Sequence, residues 1–234
     1  MQTVLTSCIS VKRFKMHQNL KMLLVLSCAF NPPPLTGYGS GRFSGEERIR
    51  QYVVGFETFF NGHERFKEFD IILTDNTILG IDEIDTRILS KIPKNTKIFL
   101  TRNNQIGSLN NGAGLIFTLN CLCEKIKEYD WVVYHEPRQK TRHFNFIDSF
   151  LLNPRNLFSI NKENGKHFNT GLFCISSKNL ISYCSSADIV EMTMKSISIE
   201  DHMFLFFNKE KIPFDTEKEM GITWYPFGSP SKDY

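Results

Sequence analysis

Two stretches near the middle of the chain carry the residue types that meet anions. The first, Ser108-Leu-Asn-Asn111-Gly112-Ala-Gly114, opens a helical pattern. The second, His135-Glu136-Pro137-Arg138, follows the apolar run Trp131-Val-Val-Tyr134. A glycine-lined helix start turns backbone N–H groups and the positive end of the helix dipole toward a negative guest. An apolar strand ending on a carboxylate and a guanidinium is a common way to meet a phosphate or a metal-bound phosphate. Together they suit a diphosphate held between Gly112 and the cations downstream of Tyr134.

Further candidates lie on either side. Asn31 to Arg42 is too rich in proline and glycine for regular structure. Its Gly37, Gly39 and Gly41 allow close backbone approach, and Arg42 can reach a phosphate. No Lys-Ser/Thr follows, so the loop is not a P-loop. Asp75 ends an apolar run and suits either an Asx-turn or a ligand contact. Asn169 and Gly171 stand in His167-Phe-Asn-Thr-Gly171, ahead of another apolar run. Ser198-Ile-Glu200-Asp201 has two readings of equal weight. It fits a capping box, and its carboxylates suit a general base that takes a hydroxyl proton. Asn111-Gly112 likewise suits a plain N-cap and turn.

These residues need a scaffold, and the hydrophobic pattern supplies one. Leu23–Phe30, Phe69–Thr74, Thr96–Thr101 and Trp131–Tyr134 read as strands. Helical patterns separate them: one from a Ser44-Gly-Glu-Glu47 capping box with Ile49, Tyr52, Val53, Phe56 and Phe60 on one face, a short one over Ile81–Ile92, and one after Gly112 with Leu115, Leu119, Leu122 and Ile126 in a stripe. Regular alternation of strand and helix predicts a parallel sheet covered on both faces, with ligands at the C-terminal ends of its strands. The second half is less regular. Phe144–Leu152 reads as a helix, Leu157–Ile160 and Leu172–Ser176 as strands, a helix follows Ser198 with Met203, Phe204 and Phe207 buried, and Ile222–Pro226 reads as an edge strand.

The order of these motifs resembles the GT-A-type glycosyltransferases, which move a sugar from a nucleotide diphosphate to an acceptor. The likeness runs from about residue 22 to 208 and rests on Asn111-Gly112, on His167-Phe-Asn-Thr-Gly171, and on Glu200-Asp201 opening a late helix. It implies an α/β fold with one domain over residues 22–234, a mostly parallel central sheet and helices on both faces. Residues 22–136 would form the nucleotide-binding half, and 137–234 the acceptor side. Asp75 would meet the base or ribose, while Asn111, Gly112, Glu136, Arg138 and Arg42 would surround the diphosphate. Asn169 and Gly171 would line the acceptor side, with Asp201 as the base and Glu200 as its substitute. The implied partners are a nucleotide-diphospho-sugar donor and a glycan or other hydroxyl acceptor.

One position departs from the family. Where many members carry Asp-x-Asp to hold a divalent cation, this chain reads His135-Glu136-Pro137-Arg138. Two alternatives stay open: Mn²⁺ or Mg²⁺ held by Glu136 and His135, or metal-free neutralisation by Arg138, Lys140 and Arg142. Two other functions compete with sugar transfer, namely a sugar nucleotidyltransferase and a carbohydrate- or partner-binding domain without chemistry.

Bulk properties agree with that class. The 234 residues, 41% of them hydrophobic, suffice for one substantial core. A net charge of +3 lacks the basic excess of a nucleic-acid binder. The six cysteines show no metal spacing and suit a reducing, cytoplasmic setting without disulfides. No run approaches a membrane span, so membrane contact would be peripheral. Met22–Phe30 follows a basic leader but is short for a signal sequence, and residues 1–21 are expected to be a poorly ordered extension or an over-long start.

Overall fold

The computed structural model describes residues 20–32, 45–101, 104–160, 167–224 and 232–233. In chain order the elements are β1 (Met22–Cys28), α1 (Glu46–Phe60), β2 (Phe69–Asp75), α2 (Thr86–Leu89), β3 (Lys97–Leu100), α3 (Gln105–Leu109), α4 (Asn111–Ile126), β4 (Trp131–His135), β5 (Lys140–Thr141), α5 (Asn145–Leu152), β6 (Leu157–Ile160), β7 (Phe168–Ser176), α6 (Ser177–Ser186), α7 (Ile189–Met194), α8 (Ile199–Lys209), β8 (Asp215–Glu217), β9 (Ile222–Trp224) and β10 (Lys232–Asp233). Short 3₁₀ turns at His63–Phe66 and Ile81–Glu83 complete the first half.

The central sheet has seven strands in the order β3-β2-β1-β4-β7-β6-β8. β3, β2, β1 and β4 are parallel, β7 runs antiparallel to β4 and β6, and β8 is parallel to β6. The mixed α/β architecture with a mostly parallel sheet is the one the strand–helix alternation implies. β1 is buried at nearly every position because both faces of the sheet are covered. Leu24, Leu26 and Val133 pack toward α1 and α5 with Phe56, Phe59 and Phe150. Leu23, Val25 and Val132 pack toward α4, α6 and α8 with Ile116, Leu180 and Phe207. Ile222–Trp224 pairs with β5 and β10 in a separate three-stranded sheet rather than joining the central one.

Local details differ from the sequence expectation in instructive ways. α1 begins after Gly45, whose positive φ of 67° precedes a start with no side-chain cap; Ser44 lies outside the described residues. The buried face of α1 includes Arg48, Gln51, Tyr52 and Gly55, so its apolar stripe is rotated from Ile49 and Val53. α4 is capped by Asn110, one residue before the expected Asn111. The His167–Gly171 step is not a turn ahead of a strand, because β7 already starts at Phe168. β7 also bulges: Leu157 pairs with Cys174, while Ser159 pairs with Asn169. Extra residues on one strand break the two-residue alternation and re-aim side chains.

Candidate functional site

β1 has β2 on one edge and β4 on the other, so the strand order reverses there and a crevice opens at the strands' C-terminal ends. A cavity of about 350 Å³ lies there. Ser27, Cys28 and Ala29 at the end of β1, Asn76 after β2, Tyr134 near the end of β4, and Glu136 and Arg138 after it form its floor and one side. Asn104, Gly107 and Leu109 around α3, the start of α4, and residues 196–200 form the other.

Two long helices begin side by side on that second wall. The Asn110 side-chain oxygen accepts from the Ala113 N–H at 3.0 Å, and its amide donates to the Met192 and Ile197 carbonyls at 3.0 Å each. One residue therefore caps α4 and ties it to the segment that leads into α8. Gly112 makes the close approach feasible, since a Cβ there would lie 2.8 Å from the Ile199 backbone nitrogen. Ser198 caps α8 by accepting from the Asp201 N–H at 3.1 Å. Ser196, with φ of 53°, turns the chain into position; a non-glycine residue there carries strain of about 1–3 kcal/mol. Each helix start brings roughly half a positive charge to the wall.

The opposite wall carries two buried arginines. Arg48 and Arg138 are each 7% exposed. Arg48 Nε donates to the Ala29 carbonyl at 2.5 Å, and Arg138 donates to Gln51 Oε1 at 3.3 Å. Gly55, one turn beyond Gln51, lets the turn after β4 lie directly on α1: a Cβ there would sit 1.8 Å from the Pro137 carbonyl oxygen. Burial pushes the Arg138 guanidinium below its ordinary range, and the nearby Arg48 charge adds to this. Two like charges held in one cavity are a stored attraction for an anion.

Carboxylates occupy the space between and beyond. Ser27 and Tyr134 line the cavity with Glu136. Burial pushes the Glu136 carboxyl up, Arg138 pulls it back, and the Glu200 charge adds to the rise. Glu200 stands in the first turn of α8 and accepts from Thr170 Oγ1 at 2.8 Å. The β7 bulge brings Thr170, rather than its neighbours, to this wall.

Of the residues singled out in the sequence, Asn111, Gly112, Glu136, Arg138 and Glu200 thus share one cavity. The other described ones sit elsewhere. Asp75 is fully buried: one oxygen accepts from the Phe30 N–H at 2.7 Å, the other from Thr77 N–H and hydroxyl and from the Ile78 N–H. Its carboxylate, raised by burial and restrained by those bonds, ties together the loops after β1 and β2. Asn169 donates to Ser159 at 3.2 Å, and the Gly171 carbonyl accepts from the Glu136 N–H at 2.9 Å. Asp201 accepts from the Ser198 hydroxyl at 2.9 Å and lies 3.6 Å from the His167 ring, with half its side chain in solvent. Arg42 lies outside the described residues.

His135 and Glu136 diverge. His135 packs into the α1 layer, its ring stacked on Phe59 at 4.2 Å and its Nδ1 3.3 Å from the Gly171 carbonyl. Burial pushes its pKa down to about 3. Glu136 lines the cavity instead. Among the described residues no cluster of three or more His, Cys, Asp or Glu side chains could hold a metal ion. Lys140 lies in β5 and, like Arg142, outside the cavity lining. Arg48 had not stood out in the sequence. Its signal was the spacing Arg48, Gln51, Tyr52, Gly55, a helical face that is half polar.

No helix among the described residues is long and apolar enough to cross a membrane. No family profile and no curated protein matches the chain. Many solved structures do match it in shape. One is the crystal structure of a "putative nucleotide-diphospho-sugar transferase" from Desulfovibrio desulfuricans G20, at 7% identity and a TM-score of 0.53, over 84% of this chain and 79% of that one. At that identity the likeness concerns architecture alone: this chain has a fold like that of the nucleotide-diphospho-sugar transferases.

Proposed function

We propose that the protein is a glycosyltransferase that takes a nucleotide-diphospho-sugar donor and a hydroxyl acceptor, a glycan being the simplest. The observation that carries this reading is the cavity's polarity. Two buried arginines line the cavity together with Glu136 beside Arg138 and Glu200 on the first turn of α8, at the sheet crevice where nucleotides bind in open α/β folds. The Desulfovibrio structure that the chain resembles, a "putative nucleotide-diphospho-sugar transferase" by name, agrees in fold.

In this reading the diphosphate lies between Arg138, Arg48 and the start of α4. Fixed cations and helix dipoles stabilise the charge that grows on the leaving group as the sugar–oxygen bond breaks. Glu200 takes the acceptor hydroxyl's proton while that oxygen bonds the anomeric carbon. Thr170 holds one Glu200 oxygen, leaving the other for the acceptor. Asp201, occupied by Ser198 and facing solvent, serves the helix cap.

The test is incubation with UDP-, GDP-, CMP- and dTDP-linked sugars and a panel of glycan acceptors, following the nucleotide products. Acceptor-dependent release of nucleoside diphosphate (or CMP) without pyrophosphate supports transfer. Release of pyrophosphate in a parallel incubation with nucleoside triphosphates and sugar 1-phosphates would indicate nucleotidyl chemistry instead. Absence of both binding and turnover across the panel would leave only a binding domain.

A further inference from the structure

We infer that the diphosphate group is neutralised by the Arg48–Arg138 pair directly, in the place where the related fold uses a divalent cation. This deepens the transferase reading and rests on it.

A cation site after β4 needs several oxygen or imidazole donors converging on one point. The two residues that replace Asp-x-Asp do not converge. His135 is fully buried against Phe59 in the α1 layer, and Glu136 opens into the cavity on the other side. The next side chain in the cavity, two residues on, is a guanidinium. A divalent ion beside Glu136 would therefore sit next to Arg138, with Arg48 behind it. Like charges in a poorly hydrated space repel strongly, so the donor set does not fit a cation.

The same arrangement fits a diphosphate. Arg138 has a planar fork of donors that matches two phosphate oxygens at once, and so does Arg48. Both are held by the protein before any ligand arrives. Arg48 is anchored on the Ala29 carbonyl, and Arg138 on Gln51 in the next turn of the same helix. The supporting contact is the absence of a side chain at Gly55, which seats the Pro137–Gln139 turn against α1. Across the cavity, the paired starts of α4 and α8 add partial positive charge. Arg48 comes from a helix and Arg138 from a loop distant in sequence; their meeting is a property of the fold, not of one motif.

The test is titration calorimetry of the full chain with UDP, GDP and dTDP, in EDTA and again in Mn²⁺. The inference expects at least one of these to bind in EDTA with an affinity within about threefold of that in Mn²⁺. Arg48→Gln and Arg138→Gln should each weaken it at least tenfold, while Arg142→Gln, outside the cavity, leaves it unchanged. Arg48→Lys and Arg138→Lys keep the charge but lose the fork, and should fall between wild type and Gln. They carry the test if either Gln variant fails to fold. Binding that requires Mn²⁺ would overturn the arginine pair and leave the transferase reading standing. Binding in EDTA that is indifferent to both arginines would also overturn it. No binding of any nucleotide, with or without Mn²⁺, would remove both.

Discussion

At one end of the cavity the charged groups are buried and tied into the core; at the other they sit on the first turn of a helix that faces solvent. Arg48 and Arg138 are each 7% exposed, whereas Glu200 is only half-buried and its neighbour Asp201, outside the cavity, has a side chain 52% exposed. The arginine end is fixed by contacts across 87 residues of sequence, between Gln51 and Arg138. The carboxylate end is fixed locally by Ser198, with Thr170 reaching in from β7. Immobile buried cations suit recognition of a constant anionic group. A half-buried carboxylate near water suits a group that must accept a proton and release it again.

The largest expected effect separates Glu200 from Asp201. Glu200→Gln should lower turnover about 10²–10⁴-fold, the usual share of a general base, with donor affinity retained. Asp201→Asn should leave turnover near wild type. Steady-state rates with calorimetric donor affinities check both, and the reverse pattern would move the base to Asp201.

A second prediction concerns the residue that the cavity excludes. The His135 pKa is depressed to about 3 in the folded protein against an ordinary 6.5. Between those values the unfolded chain binds a proton that the folded chain refuses. Its contribution to stability is therefore present near neutrality and is lost as pH falls below 6.5, at up to about 1.4 kcal/mol per pH unit. His135→Phe, which keeps the stack on Phe59, should lack that component. Urea titrations of both proteins from pH 7 to pH 4 should show wild type losing stability relative to the variant as pH falls; parallel curves would place the proton elsewhere.

Gly55→Ala sharpens the arginine end alone. The added methyl meets the Pro137 carbonyl, so stability should fall by about 1–3 kcal/mol and nucleotide affinity with it. Loss of stability with affinity intact would show that the turn's seat does not position Arg138. The smallest effect belongs to the carboxylate end: Ser198→Ala removes a cap worth about 1 kcal/mol. Thermal unfolding should register it, with donor affinity unchanged.

Much of the scaffold was legible because its strands are short apolar runs bounded by turn residues. Met22–Cys28, Phe69–Asp75, Lys97–Leu100 and Trp131–His135 all fall within a residue or two of the expected spans. Arg138 and Gly112 were legible as anion-binding types beside a strand end and a helix start. Arg48 was not, because a charged residue in a helix's first turn ordinarily faces water. It meets the Ala29 carbonyl in the loop after β1, a contact no local pattern records. Thr170 was hidden for a different reason. A strand's faces are read by alternation, and the β7 bulge breaks the count between Asn169 and Cys174. The Ser198–Asp201 pattern held both its readings in sequence; the geometry adds that Asp201 is engaged by the cap and Glu200 by the cavity.

The central claim is that Arg48, Arg138 and the start of α4 share one diphosphate. A crystal structure with a bound nucleoside diphosphate measures that directly. The account predicts phosphate oxygens at about 2.7–3.2 Å from both guanidinium groups, with the Gly112 end of α4 facing them. A diphosphate found away from the arginines, or bridged to Glu136 and Glu200 by a metal ion, would contradict it.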